Sequence, residues 1–273
     1  MRAYYINLDS QTERRDSIES SFRTCQIPGW TLTRFPAIGK DEVLRRGVCG
    51  RTSDGEKGCF LSHRALLEQT LADEEPILVL EDDAVFSPAT FPLIDRFLAE
   101  PGVGEWDIAY TDVIIPRIET MADFVRLRRE ITDRQQVVML DVTQFSFAGS
   151  TAYVVNGRSK RKLYDILASC DCIDSPYDLF VRLQIYHKVL HGHVFFPFIT
   201  AVGDCSASSQ IQRDEVQLTE LIWSTFRRMI WLDRSIGSER QTLEAIGAHI
   251  EPEDCSAFGV LFSAMISSKY KGK

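Results

Sequence analysis

Long hydrophobic runs are absent: nothing in the 273 residues approaches the roughly 18 consecutive apolar side chains that a membrane-spanning helix needs. The opening M-R-A-Y-Y-I-N-L-D-S lacks the apolar stretch of a secretion signal. Internal repeats and Gly/Ser-rich linkers are missing as well. Nor is there a basic excess: 31 Lys and Arg face 39 Asp and Glu, a net charge of −8. That balance excludes a general nucleic-acid binder, whose surface must neutralise phosphates. Cysteine is sparse and odd in number, seven in all, so the expectation is reduced thiols in a cytoplasmic compartment. Cys170 and Cys172 stand close but lack the further ligands of a structural zinc site. Three phosphate and nucleophile signatures are also missing. No G-x-G-x-x-G follows the first strand-like segment, no G-K-[ST] occurs, and no G-x-S-x-G elbow is present.

What is there is an ordinary globular composition, 44% hydrophobic and 26% charged, in a chain long enough to bury a sizeable core. Strand-like and helix-like segments alternate. The pattern predicts strands at 4–8, 30–35, 77–80, 107–110, 151–155 and 194–198, and helices at 12–23, 58–71, 158–167 and 177–189. Such alternation implies an α/β layered fold around a mostly parallel sheet. Residues 40–56 are rich in Gly, Arg and Asp without periodicity and read as a surface loop. The strongly charged segment 117–136 reads as an exposed helix. From residue 214 onward Leu218, Leu221, Ile222, Phe226, Met229, Ile230 and Leu232 fall on one face, so a helical C-terminal part is expected.

The sharpest chemical feature is Glu81-Asp82-Asp83, directly after the apolar run I-L-V-L. In open α/β sheets ligands sit beyond the carboxyl ends of strands, and alternate residues of an extended segment point the same way. Glu81 and Asp83 can therefore share a target, and hard carboxylate oxygens suit Mg²⁺ or Mn²⁺. A solvated acidic turn is the competing reading. Arg14 and Arg15, after the first strand, could clamp a diphosphate or form a solvated helix face. Ser62, His63 and Arg64 lie together and could reach a phosphate or a base, or simply form a helix surface. His193, in an H-x-H pair with His191, is either a metal ligand or a packed histidine.

Taken in order, six blocks resemble glycosyltransferase family 25, the bacterial lipooligosaccharide transferases related to collagen galactosyltransferases. They are Y-I-N-L-D with T-E-R-R (5–15), R-F-P-A-I-G (34–39), G-E-K-G-C-F-L-S-H-R (55–64), I-L-V-L-E-D-D-A (77–84), G-S-T-A-Y-V-V (149–155) and S-P-Y-D-L-F (175–180), with a weaker S-S-Q-I-Q ending at 212. The resemblance implies a GT-A-like (Rossmann-like) α/β/α sandwich over 1–212, with 213–273 a helical extension packed on it. It implies an inverting, divalent-metal-dependent transfer of a hexose, most often galactose, from a UDP-sugar to a lipid-linked or free oligosaccharide acceptor. UDP-glucose or a UDP-N-acetylhexosamine is the alternative donor, and a degenerate nucleotide-binding interaction module the alternative function. By position, the resemblance puts Asp83 and Glu81 on the Mn²⁺ (or Mg²⁺); it places no third contact, for which His193 is the candidate. It puts Asn7, Leu8, Arg14, Arg15, Ser62, His63, Glu81, Asp82, Gly149, Ser150 and Thr151 on the nucleotide sugar. Asp178 becomes the leading general base and Asp204 the second candidate, with Asp174 the matching acid if the register slips. The expectation is completed by a cytoplasmic enzyme in which Trp223, Phe226, Arg227, Arg228, Ile230, Trp231 and the lysines 269, 271 and 273 mix aromatics with bases: the apolar face packs on the transferase domain, or, as the alternative, meets the inner membrane face.

Overall fold

A computed structural model describes residues 1–100, 104–133, 136–203, 217–233, 240–247 and 259–261. The elements run β1 (Arg2–Asn7), α1 (Thr12–Cys25), β2 (Thr31–Pro36), α2 (Lys40–Arg46), α3 (Asp54–Gln69), β3 (Ile77–Glu81), β4 (Ala84–Phe86), α4 (Thr90–Ala99) and β5 (Ile108–Tyr110). They continue with α5 (Ile118–Asp133), β6 (Val138–Asp141), β7 (Ala152–Val155), α6 (Lys160–Ala168), α7 (Tyr177–Tyr186), β8 (Gly192–Phe196), β9 (Thr200–Val202), α8 (Gln217–Ile230) and α9 (Arg240–Gly247).

Seven strands form one sheet in the order β2-β1-β3-β7-β5-β8-β6, and β4 pairs with β9 in a small second sheet. β1 runs parallel to both β2 and β3, and β5 runs parallel to β8. β7 is antiparallel to its neighbours β3 and β5, and β6 is antiparallel to β8. The reversed strand β7 matters for the site. Leu80 at the end of β3 pairs with Ala152 at the start of β7, so the residues entering β7 reach the carboxyl edge where β3 and β5 end.

Strands buried on both faces read as continuous apolar runs, and β3 is one, with Ile77, Leu78, Val79 and Leu80 all fully buried. Alternate residues divide between two cores. Ile77, Val79, Tyr110, Tyr153 and Val194 pack under α3, α5, α6, α7 and α8 through Phe60, Phe124, Leu163, Val181 and Phe226. Leu78, Leu80, Ala109, Val154 and Phe195 pack under α1 and α4 through Ile18, Phe22, Phe91 and Ile94. Each such side chain, fully buried, contributes about 1.5–3 kcal/mol before entropy is counted. The result is the expected α/β/α sandwich.

Two expectations need correction. The segment 40–56 is not a loop throughout: α2 occupies its first half, and Ser53 opens α3 with a capping box. The Ser53 hydroxyl accepts from the Glu56 N–H while the Glu56 carboxylate accepts from the Ser53 N–H. α5 is not merely exposed, since Met121, Phe124, Arg128 and Ile131 are buried. α8 is built into the sandwich. Phe226 and Ile230 join the core, and Arg128 donates to the backbone carbonyls of Ile230 and Leu232. The apolar face of α8 is thus largely spent on packing, leaving Ile222 exposed. The 212/213 boundary and the C-terminal lysines lie outside the described residues. Among the described residues no helix is long and apolar enough to cross a membrane.

The cysteines depart from the all-reduced expectation. The loops before α3 and α7 run side by side, with the Ile173 N–H bonded to Cys49 O and the Thr52 N–H to Ile173 O. Cys49 and Cys172 thereby face each other and form a disulfide, with Cα atoms 4.7 Å apart. Closing a loop of 123 residues confers about 2–4 kcal/mol, largely by restricting the unfolded chain. The prediction is that a reductant lowers the melting temperature of the wild type and leaves Cys172→Ser, already destabilised by that amount, unmoved. A wild type that melts alike with and without reductant would contradict the pairing.

Candidate functional site

The end of β1 and the turn after β3 are locked together by a buried polar cluster. Asn7 donates from Nδ2 to Asp82 Oδ2 (2.7 Å) and accepts at Oδ1 from Arg34 Nε (2.9 Å). Arg14, in the first turns of α1, donates from Nη1 to Asp82 Oδ1 at 2.6 Å. Both Asp82 oxygens are therefore taken by protein donors. Glu81 and Asp83 are left to look toward the crevice.

Helix α3 supplies the next wall. Gly58 lies under the backbone after β2: a Cβ there would stand 2.3 Å from Ile38 O, so only glycine lets the chain cross the helix so closely. Ser62 pins that crossing. Its Oγ accepts from the Ile38 N–H (2.8 Å) and donates to Gly58 O (2.7 Å). His63, one turn on from Cys59, stacks on the Tyr177 ring at 3.9 Å and 5°. Its Nδ1 meets the Tyr153 hydroxyl at 2.7 Å, which in turn meets the Tyr177 hydroxyl at 2.7 Å.

The residues entering β7 form the opposite wall. Gly149 adopts a φ of +91°, a conformation that favours glycine, and its N–H donates to Asp178 Oδ2 at 2.7 Å. Ser150 donates to Glu81 Oε1 at 2.6 Å, and Thr151 O accepts from the Glu81 N–H. Thr151 Oγ1 accepts from Arg227 Nη2 at 2.8 Å. Arg227 reaches in from α8 and is paired with Asp112, buried just beyond the end of β5, with Nε donating to Oδ2 at 3.0 Å.

Two cavities result, and they meet at Cys59, Glu81 and Asp83. The first is lined by Ile6, Leu8, Arg14, Ile38, Gly39, Ser62 and His63. The second is lined by Gly149, Ser150, Thr151, Tyr177, Asp178 and Arg227. One is a slot with an apolar rim and an arginine; the other has a carboxylate, hydroxyls and an arginine.

Electrostatics separate the acids. Burial, followed by the charge of Glu81, pushes the Asp83 carboxyl up to about 7. Burial likewise raises Asp82 and Asp178 above the usual carboxylate range, despite the Arg14 charge beside the one and the Gly149 N–H on the other. Burial also opposes ionisation of Glu81, yet the His63 ring, the Ser150 hydroxyl and Arg227 hold its carboxyl below the usual range. Asp83 is the under-served member: among the described residues its buried Oδ1 has no hydrogen-bond partner, and Arg14 Nη2 stands 3.9 Å from its Oδ2. An orphaned carboxylate oxygen beside a second carboxylate, at the mouth of two cavities, fits a hard divalent cation.

Of the residues expected from sequence, Leu8, Arg14, Ser62, His63, Glu81, Asp82, Asp83, Gly149, Ser150, Thr151 and Asp178 line one or both cavities. Asn7 lies behind them as the anchor of Asp82. Arg15 lines neither cavity. His193 is a correction. β8 stands three strands from β3, about 14 Å at the usual spacing, and the ring keeps company with Asp141 and His191 instead. Asp174 accepts from the Arg51 N–H on the surface, so Asp178 carries the register; Asp204 lies outside the described residues. The sequence reading missed Cys59, the Tyr153–Tyr177 pair and the Asp112–Arg227 pair as parts of the site. Asp112 had a signal, an acid just after a short strand, the same logic that singled out Glu81–Asp83.

Residues 1–181 match the profile of glycosyltransferase family 25 (LPS biosynthesis protein). The chain is 26% identical over 170 residues to the lipooligosaccharide biosynthesis protein lic2B of Haemophilus influenzae, covering 59% of this chain and 61% of that one. It is 28% identical over 178 residues to the lacto-N-neotetraose biosynthesis glycosyltransferase LgtE of Neisseria gonorrhoeae, covering 62% and 61%. The chain thus spans less than two thirds of the length of these relatives. Among solved structures it resembles galactosyltransferase LgtC in complex with donor and acceptor sugar analogues, at 11% identity and a TM-score of 0.41, covering 94% of this chain and 99% of that one.

A carboxyl raised by folding binds its proton more tightly in the folded state, so its contribution to stability is full at low pH and is lost as the pH rises. For Asp83 the window runs from its ordinary 3.8 to about 7. With divalent cations chelated, Asp83→Asn is expected to melt higher than the wild type at pH 8, the gap closing toward pH 4. Wild-type and variant melting curves that stay parallel across that range would contradict it.

Proposed function

The chain belongs to glycosyltransferase family 25, and on that premise we propose that it transfers a hexosyl group from a UDP-sugar to a hydroxyl of a saccharide acceptor. The observation that carries the reading is the pair of cavities meeting at Glu81 and Asp83, with Asp178 lining the second. In this reading the uracil ring enters the slot between Leu8 and Ile38–Gly39, and Arg14 lies beside the diphosphate. The hexose then extends past Glu81 and Asp83 toward Ser150 and Thr151. A divalent ion, Mn²⁺ or Mg²⁺, held by Asp83 and Glu81 would supply Lewis-acid stabilisation of the departing diphosphate. Arg227 adds fixed positive charge on the same side, already oriented by Asp112 and Thr151.

The acceptor hydroxyl must lose a proton as it attacks. Asp178 suits that task for two reasons. One of its oxygens is held by the Gly149 N–H, which fixes the carboxylate's orientation, and burial raises its proton affinity toward the working range of a base. Direct attack with this single base inverts the anomeric centre; nothing in the arrangement asks a side chain to hold the sugar covalently. Galactose is the donor sugar of this reading. The acceptor is an oligosaccharide, free or lipid-linked, consistent with relatives named for lipooligosaccharide and lacto-N-neotetraose biosynthesis. Contact with an inner-membrane face would fall to the exposed Ile222 side of α8.

The test is UDP release measured with a panel of UDP-sugars and with acceptors either free or carried on anionic vesicles. UDP-galactose is expected to give the fastest turnover, and vesicle-borne acceptor to outpace the free one. Asp178→Asn is expected to lower kcat by about 10²- to 10⁴-fold with little change in donor KM. A protein that binds UDP yet releases none from any sugar would leave the nucleotide-binding module as the reading. An undiminished kcat in Asp178→Asn would remove the base assignment alone.

A further inference from the structure

One group of side chains at the junction of the cavities has a chemistry that sugar transfer does not call for. Cys59 and His63 are four residues apart on α3, hence on one face of the helix, and Glu81 approaches them from the end of β3. The Cys59 thiol, a His63 ring nitrogen and a Glu81 carboxylate oxygen all lie within 4.8 Å of one another. His63 is 0% exposed, and among the described residues its buried Nε2 has no hydrogen-bond partner, standing 3.9 Å from Glu81 Oε1 and too far to bond it. The other ring nitrogen is occupied. Tyr153 holds Nδ1 at 2.7 Å, Tyr177 holds Tyr153, and the Tyr177 ring stacks on the imidazole. In the tautomer that donates Nδ1–H to that hydroxyl, Nε2 carries the lone pair a metal would take. An imidazole oriented through its second nitrogen is how metal-ligating histidines are held.

We propose that Cys59, His63 and Glu81 form a site for a borderline-soft divalent cation of the Zn²⁺ class, which shares only Glu81 with the hard-ion position at Asp83. The site stands on these three side chains and does not rest on the transferase reading. Sulfur and imidazole select against Mg²⁺ and Mn²⁺, which favour all-oxygen shells. Zinc bonds of roughly 2.0–2.3 Å place ligand atoms roughly 3.3–3.7 Å apart in a tetrahedron, so the ligand atoms need close in by only about 1 Å. On binding, the Cys59 S–H bond breaks, the sulfur bonds the metal and the proton leaves to water. Burial holds the thiol protonated in the free protein, so affinity rises with pH. Three protein ligands leave a fourth position, open toward both cavities, for water or a ligand oxygen.

Co²⁺ is the probe, added to the full chain with the Cys49–Cys172 pair left oxidised. The expected result is a thiolate-to-cobalt charge-transfer absorption that saturates at one equivalent. Zn²⁺ should abolish it and Mg²⁺ in excess should not. Cys59→Ala should lose the band, Asp83→Asn should keep it, and Tyr153→Phe should weaken Co²⁺ binding by about 10- to 100-fold. Cooperative melting of each variant checks that it is folded. No charge-transfer band in the folded wild type would overturn the site, as would a band that persists in Cys59→Ala or yields to Mg²⁺. Because the readout is spectroscopic and donor-free, its failure is separate from any failure of UDP-sugar turnover.

Discussion

Three consecutive carboxyl groups at the end of a buried strand cannot all be charged in a low-dielectric crevice without compensation, and the arrangement around Glu81, Asp82 and Asp83 follows from that. Each acid meets the constraint differently. Asp82 has its charge offset by Arg14 and accepts a further hydrogen bond from Asn7. Glu81 keeps its charge with help from Ser150, His63 and Arg227. Asp83 receives least and keeps its proton to about pH 7. Its nearest cationic group, Arg14 Nη2, stands 3.9 Å away on a side chain already bonded to Asp82, and a bound cation would supply the remaining compensation most directly.

The same constraint explains why distant segments converge. A parallel strand beside β3 would end at the same edge and add nothing at its start. The reversed β7 instead delivers Gly149, Ser150 and Thr151 to that edge, the first bonded to Asp178 and the other two to Glu81. Arg227 arrives from α8, well beyond the residues that match the family profile, and pairs with an acid at the end of β5. Breaking a buried pair of this kind by removing one partner typically costs about 3–5 kcal/mol. α8 is therefore tied to the site electrostatically as well as to the core by Phe226 and Ile230.

Much of this was legible in the sequence, for physical reasons that also mark the limits. The run Ile77–Leu80 announced a strand buried on both faces, and its acidic end announced the crevice. Helix α2 was missed because its seven residues carry one buried side chain, Val43, too few to show a period. The charge on α5 masked a buried face that period-counting at Met121, Phe124 and Ile131 would have found. His193 was misplaced because sequence neighbours say nothing about strand order: β8 follows α7 in the chain but lies three strands away from β3. Cys59 was read only for its compartment, although its spacing from His63 is that of two residues on one helical face.

The central claim is that the crevice at Glu81 and Asp83 binds a nucleoside diphosphate with a divalent cation. Thermal stability of the wild type with UDP, with and without Mn²⁺, tests it most directly. The account predicts stabilisation by UDP and Mn²⁺ together of about 2.7 kcal/mol at a hundredfold excess over the dissociation constant, with little from UDP alone. A melting temperature that UDP leaves unmoved, with or without Mn²⁺, would contradict it.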